Sequence, residues 1–191
     1  MKTRCGWCTA DPVYIEYHDT EWGVPVTDDQ KLFEFITLEG AQAGLSWITI
    51  LKRREGYRRA FKNFDPEQCA RLSDQDILRL LADTSIIRNR RKIESVVTNA
   101  QAYLKIQAEY GSFAKYMWDW VDGEPIQNSW DRQTDVPAVT PLAEAMAKDL
   151  KRRGFSFLGP TIWYAHMQAV GMVKDHITGC FRHAEVRAKR Y

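Results

Sequence analysis

Long hydrophobic runs are absent from this sequence. Its apolar stretches break after a few residues, far short of the roughly 20 that a membrane-spanning helix needs. The opening Met-Lys-Thr-Arg-Cys carries positive charge with no apolar segment behind it, so neither export nor a membrane anchor is expected, and the chain is expected in the cytoplasm. Cysteine is scarce, at four among 191 residues. Intracellular thiols stay reduced, which sets aside a disulfide framework and leaves these cysteines as ligands or core residues. Excess charge of one sign is missing too, the net being +2. With 45% hydrophobic and 27% charged residues the chain has the composition of a folded protein and not of a disordered one. Internal repeats and low-complexity tracts are lacking, which excludes solenoids and linkers. One domain spanning 1–191 is expected.

Basic residues and aromatics are present, and unevenly placed. Lys and Arg gather at 52–59, at 88–92, at 148–153 and in the tail from Arg182. A face that collected several of these groups could follow phosphates, although any one group can equally be a solvated helix face. Seven Trp and eight Tyr beside these runs suit the stacking of nucleobases as well as ordinary core anchoring.

Helical signals dominate the pattern. Leu32, Phe35, Ile36, Glu39 and Ala43 recur at helical spacing behind Asp28-Asp29, predicting a helix from about Asp28 to Ala43. Ser46 then caps a second helix with Trp47, Ile50, Leu51, Tyr57 and Phe61 as apolar positions, after a tight Gly44-Leu45 connection. Asp65-Pro66 and the Ser73-x-x-Asp76 capping box open two short helices. Ile93, Val96, Val97, Ala100 and Leu104 mark a long one after a basic hairpin, and a further helix fills Ser112 to Val121. From Asp122 to Val139 the pattern lapses into a long loop. Thr140-Pro141 and Gly159-Pro160 open the last two helices, closed by Gly154 and Gly171. No strand pair is expected, and the fold class is all-α.

Two pairs of metal-type ligands lie far apart, Cys5 with His18 and His176 with Cys180. Together they form a Cys₂His₂ set suited to tetrahedral zinc, with the second pair at i, i+4 on one helical face. Cys5 and Cys8 with His176 and Cys180 make an equally acceptable set, and all of these residue types also occur simply as core. Cys5-Gly-Trp-Cys8 further invites a redox reading, but the βαβ setting of such motifs is missing.

Glu39 is the most telling single residue. At 100° per residue it falls within the apolar stripe of its helix, where an unpaired charge is costly. Either Arg or Trp N–H groups satisfy it in the core, or the stripe opens there onto a pocket. Tyr14, Tyr17, Trp22 and Trp47 surround it in sequence, and a carboxylate among aromatic faces suits a flat cationic heterocycle. The hairpin Ile86 to Lys92 brings backbone N–H groups and cationic side chains to a helix N-terminus, a suitable phosphate contact.

Taken in order, Cys5-Gly-Trp, Tyr17-His18-Asp-x-Glu-Trp22-Gly, Leu38-Glu39-x-x-x-Ala43-Gly44-Leu45-Ser46-Trp47, Gly-Phe155-x-Phe157-x-Gly159 and His176-x₃-Cys180 resemble the bacterial 3-methyladenine DNA glycosylase I family over nearly the whole chain. The resemblance implies an all-α helix-hairpin-helix glycosylase fold, with the hairpin motif at about 74–109. It implies one structural zinc on Cys5, His18, His176 and Cys180, joining segments 1–25 and 160–185. Glu39 would bond the flipped 3-methyladenine, Tyr17 would read its edge and Trp47 would stack on it, with Trp7, Tyr14 and Trp22 as further walls. Gly44 and Leu45 would enter the gap in the duplex, and Arg88, Arg90 and Lys92 would hold the backbone of double-stranded DNA in the minor groove.

With no interface heptad and a DNA-facing surface to keep free, a monomer acting with the nucleoid is expected, releasing free 3-methyladenine by monofunctional hydrolysis without strand cleavage. Two departures from the wider superfamily are visible. The hairpin lacks its usual glycines, and its catalytic Asp has no assured counterpart, Asp119 and Asp122 being the nearest in position. Competing readings are a non-catalytic, zinc-stapled nucleic-acid-binding domain and a thiol oxidoreductase using Cys5 and Cys8.

Overall fold

The computed structural model describes residues 2–187. In chain order its helices are α1 (Pro12–Thr20), α2 (Asp29–Gln42), α3 (Trp47–Leu51), α4 (Arg54–Ala60), α5 (Pro66–Cys69) and α6 (Asp74–Ala82). There follow α7 (Arg90–Tyr110), α8 (Phe113–Asp119), α9 (Pro141–Arg152), α10 (Pro160–Ala169) and α11 (Arg182–Arg187). No helix among the described residues is long and apolar enough to cross a membrane. Of the basic tail anticipated from Arg182, α11 is described and residues 188–191 lie outside the described residues.

Helix α2 forms the axis. Asp28 caps it by accepting from the Lys31 amide at 2.7 Å, and every residue from Leu32 to Ala41 is buried. A helix buried all round needs neighbours on every face, and α3, α4, α7, α8 and α10 supply them. Asp29 fastens the start of α2 to α8 by accepting from the amides of Phe113 and Ala114, each at 2.8 Å. Asn99 in the middle of α7 bonds both backbone groups of Ser156, fixing the segment that leads into α10.

The helix signals at Asp65-Pro66, Ser73-x-x-Asp76 and Thr140-Pro141 form the expected caps. Helix α1 was not anticipated, although its Asp11-Pro12 start is the same cap and N1 proline seen at Asp65-Pro66. The single helix expected from Ser46 through Phe61 is two helices. Arg53, at φ −103° and ψ 1°, leaves helical geometry and starts α4 in a new direction. Periodicity carried no mark of this break, because Ile50, Leu51, Tyr57 and Phe61 are buried on both sides of it. In addition, a short parallel strand pair exists where none was expected. β1 (Ile126–Gln127) lies inside the long loop and pairs with β2 (Val173–Lys174), pinning that loop against the end of α10. Two-residue strands are too short to show alternation.

Candidate functional site

A cavity of about 250 Å³ opens beside α2. Its walls come from the segment before α1 (Trp7), from α1 (Tyr14 and Tyr17), from the turn after it (Trp22), from α2 (Glu39 and Gln42), and from α3 (Trp47). Gln133 from the long loop and Ala165, Gln168 and Ala169 from α10 complete it. All six residues singled out in sequence for a base pocket therefore share one cavity. Tyr14 and Tyr17 reach it together because three residues of helix bring side chains onto one face. The rings brace one another at wide angles: Trp7 meets Tyr14 at 5.5 Å and 70° and Trp22 at 5.1 Å and 68°, while Tyr17 meets Trp47 at 5.7 Å and 57°. The indole N–H of Trp47 is buried with no hydrogen-bond partner.

Glu39 is 3% exposed, and its Oε2 accepts a hydrogen bond from His166 Nδ1 at 2.8 Å. Burial raises its carboxyl above the ordinary value, and the His166 contact offsets this only in part. Burial also pushes Tyr17 well above the ordinary phenol value, with the nearby Glu39 charge adding to the effect, so its hydroxyl stays protonated. Of the alternatives left open in sequence, the pocket is present, and the core partner is His166 where Arg or Trp N–H groups were expected. His166, Gln42, Gln133 and Gln168 escaped sequence reasoning. A histidine at helical spacing from Trp163 and Val170, on the core face of its helix, was the available signal for the first.

The ligand atoms of Cys5, His18, His176 and Cys180 all lie within 4.8 Å of one another, and all four residues are buried. These side chains could hold one metal ion. Cys5 Sγ is 3.4 Å from His176 Nδ1, and Cys180 Sγ is 3.5 Å from both His18 Nε2 and His176 Nδ1. The far ring nitrogens are engaged elsewhere. His18 Nδ1 donates to Asp19 at 2.8 Å, and His176 Nε2 donates to the Trp22 carbonyl at 3.0 Å, which directs the remaining lone pairs toward the sulfurs. The Cys5 thiol is held up by its bond to Cys180 and by burial, while the same bond pulls Cys180 down toward thiolate. Cys8 stands apart, its Sγ 3.7 Å from the carbonyls of Thr9 and Tyr14.

The hairpin between α6 and α7 presents Arg88, Asn89, Arg90 and Arg91 to solvent. Asn89 caps α7 by accepting from the Lys92 amide, and Arg90 pairs with Glu94 at 3.2 Å. Lys92, expected at a phosphate, turns inward instead. Its Nζ donates to the carbonyls of Ala41 at 2.9 Å and Ala43 at 2.5 Å, satisfying the C-terminus of α2. Beyond that end, Gly44 at φ +78° turns the chain and leaves Leu45 exposed at the tip, with Gln42 Nε2 bonding the Leu45 carbonyl at 2.7 Å. Asp119 and Asp122 are exposed and do not line the cavity; Asp119 pairs with Lys115.

A small aromatic chamber with one buried carboxylate, set in a helical frame beside an exposed basic hairpin, has the chemistry to suit a flat, electron-poor ring. The model of the methyladenine glycosylase family matches residues 7–183, and the chain belongs to that family. DNA-3-methyladenine glycosylase 1 of Escherichia coli (strain K12) is 49% identical over 177 residues, covering 93% of this chain and 95% of that protein. A crystal structure of 3-methyladenine DNA glycosylase I superposes with a TM-score of 0.92 at 53% identity, over 95% of this chain and all (100%) of the other. A variant of 3-methyladenine DNA glycosylase I, solved in complex with 3-methyladenine, gives 0.92 at 40% identity, over 98% and 99% of the two chains. The fold is the all-α glycosylase fold.

Proposed function

We infer that the chain is a DNA repair N-glycosylase that extrudes 3-methyladenine from alkylated double-stranded DNA and hydrolyses its glycosidic bond. The observation that carries this reading is Glu39: a buried carboxylate, opposed by one imidazole only, in the wall of an aromatic chamber the size of a single base. Kinship with proteins named for this activity supports it.

The chemistry needs little from the protein. Methylation at N3 makes adenine a cation with a weakened glycosidic bond, so the base leaves without strong protonation. Trp47 and the facing rings stack on the base, Tyr17 donates from a protonated hydroxyl, and Glu39 accepts from its edge while its charge complements the cation. Cleavage gives an oxocarbenium-like sugar that water attacks, in a monofunctional reaction that leaves the strand intact and free 3-methyladenine as product. Leu45, at the tip of the Gly44 turn, fills the gap left in the duplex. Arg88 and Arg90, on the α6–α7 hairpin read as a helix-hairpin-helix motif, contact phosphates; Lys92 holds the Gly44 turn in place. One domain and a monomer suffice.

Cys5, His18, His176 and Cys180 would hold zinc. With Zn–S near 2.3 Å and Zn–N near 2.0 Å, a tetrahedral ion would set the N···S edge at about 3.5 Å, matching the 3.4–3.5 Å between these side chains. Bound there, the ion supplies a cross-link between distant segments and no reaction step.

Chromatography of bases released from methylated DNA tests the function. Release of 3-methyladenine is expected, and Glu39→Gln should slow it about 10- to 100-fold. Unchanged excision by that variant would remove Glu39 from the mechanism, and binding without base release would favour a non-catalytic DNA-binding domain.

A further inference from the structure

His166 is fully buried on α10, yet it does not line the cavity; its neighbours in sequence, Ala165, Gln168 and Ala169, do. The imidazole is fixed on two sides. Its plane stacks on Trp163 at 4.5 Å and 21°, and Nδ1 lies 2.8 Å from Glu39 Oε2. Nε2 is buried with no partner. A carboxylate only accepts hydrogen bonds, so Nδ1 carries the proton in this pair, and the tautomer with a bare Nε2 lone pair leaves no N–H stranded in the core.

We propose that His166 is a positioning residue for base recognition, fixing the rotamer of Glu39 by engaging Oε2 and leaving Oε1 to the cavity. The inference rests on Glu39 being the base-binding carboxylate. A Glu side chain has three torsions, and although Tyr17, Gln42, Gln133 and Gln168 share the cavity, the hydrogen bond described for its carboxylate is the one from His166. The bond from α10 supplies that choice. It also leaves Oε1 and its lone pairs to meet a cationic ring. Recognition would then depend on a residue that never touches the base.

Three variants separate this role from a packing role. In His166→Asn the side-chain amide nitrogen falls where Nδ1 sits, in His166→Gln it falls one bond further out, and His166→Phe keeps the ring without a donor. The measurement is the affinity for free 3-methyladenine, read from quenching of the cavity tryptophans, alongside melting temperature and the kcat and KM for methylated DNA. His166→Phe should weaken 3-methyladenine binding about tenfold, with a smaller effect on neutral adenine; His166→Asn should recover most of the loss and His166→Gln little of it. Wild-type affinity in His166→Phe would overturn the proposal, as would equal losses in the Asn and Gln variants. If His166→Phe does not fold, the Asn and Gln comparison decides alone. Glu39→Gln runs in parallel: if it keeps full affinity the base-binding reading itself fails, and if it loses affinity while His166→Phe does not, only the positioning role falls.

Discussion

Glu34 and Glu39 lie five residues apart on α2 and are equally buried, at 3% exposure each, yet their surroundings have opposite effects. Burial pushes Glu34 up, but Arg54 and Lys31 outweigh it and hold its carboxyl below the ordinary value, with Arg58 a third cation at 2.9 Å. Glu39 stays above its ordinary value. A carboxyl raised by folding contributes stability at acid pH that is lost as pH climbs through the raised value, so at neutral pH Glu39 costs stability. Melting followed across pH should show Glu39→Gln more stable than wild type at pH 7, the gap closing below about pH 4 where both side chains are neutral. Glu34→Gln should instead lose about 1–2 kcal/mol at pH 7, since Arg54 loses one of its two carboxylate partners and keeps Glu21, while Lys31 and Arg58 are partly exposed and retain other partners. The apolar stripe made Glu39 legible in sequence. Glu34 was not, because the stripe continues around the helix, and what distinguishes the two acids is which partners other helices bring.

Elements were readable where a local rule governs them and unreadable where a neighbour does. Caps at Asp65, Ser73 and Thr140 are local chemistry, and Asp11-Pro12 spelled α1 in the same terms. The α3–α4 break has a tertiary cause. Redirecting the chain brings Gly56 onto the α6–α7 hairpin, where a Cβ would stand 2.5 Å from the Ser85 carbonyl oxygen. Gly56→Ala should therefore cost about 2 kcal/mol in denaturant unfolding by pushing the hairpin outward. Lys92 and Arg88, four residues apart and alike in charge, should part company in experiment. Lys92→Met should lower stability by about 2 kcal/mol through loss of its bonds to Ala41 and Ala43. Arg88→Ala should leave stability within about 0.5 kcal/mol while weakening DNA binding and reducing its salt slope by about 1, as measured by titration at several ionic strengths.

Over the whole molecule, residues more than 150 positions apart converge, as in the pair Cys180 and His18. Spacing alone left Cys8 open as a ligand beside Cys5, and family resemblance set it aside; the fold turns Cys8 toward Thr9 and Tyr14 and groups Cys5 with His18, His176 and Cys180. With zinc held as proposed, Cys5→Ser should lower stability by several kcal/mol and lower the metal content, whereas Cys8→Ser should change neither, as checked by calorimetry and atomic absorption. The chamber leans on these ligands. Trp7 packs 5.2 Å from His18, and Trp22 packs 4.5 Å from His176 while its carbonyl accepts a hydrogen bond from His176 Nε2.

That arrangement sets an order of events during synthesis. Cys5 and His18 emerge from the ribosome early, and nothing they need to meet exists until His176 and Cys180 have followed them out. Helices α1 through α10 precede His176 in the chain, and Trp7 and Tyr17 have early neighbours in Tyr14, His18 and Trp47, but Trp22 lacks the His176 ring it packs against until that residue arrives. A chain cut short before His176 should therefore keep most of its helices while leaving the Trp22 wall of the cavity without that support.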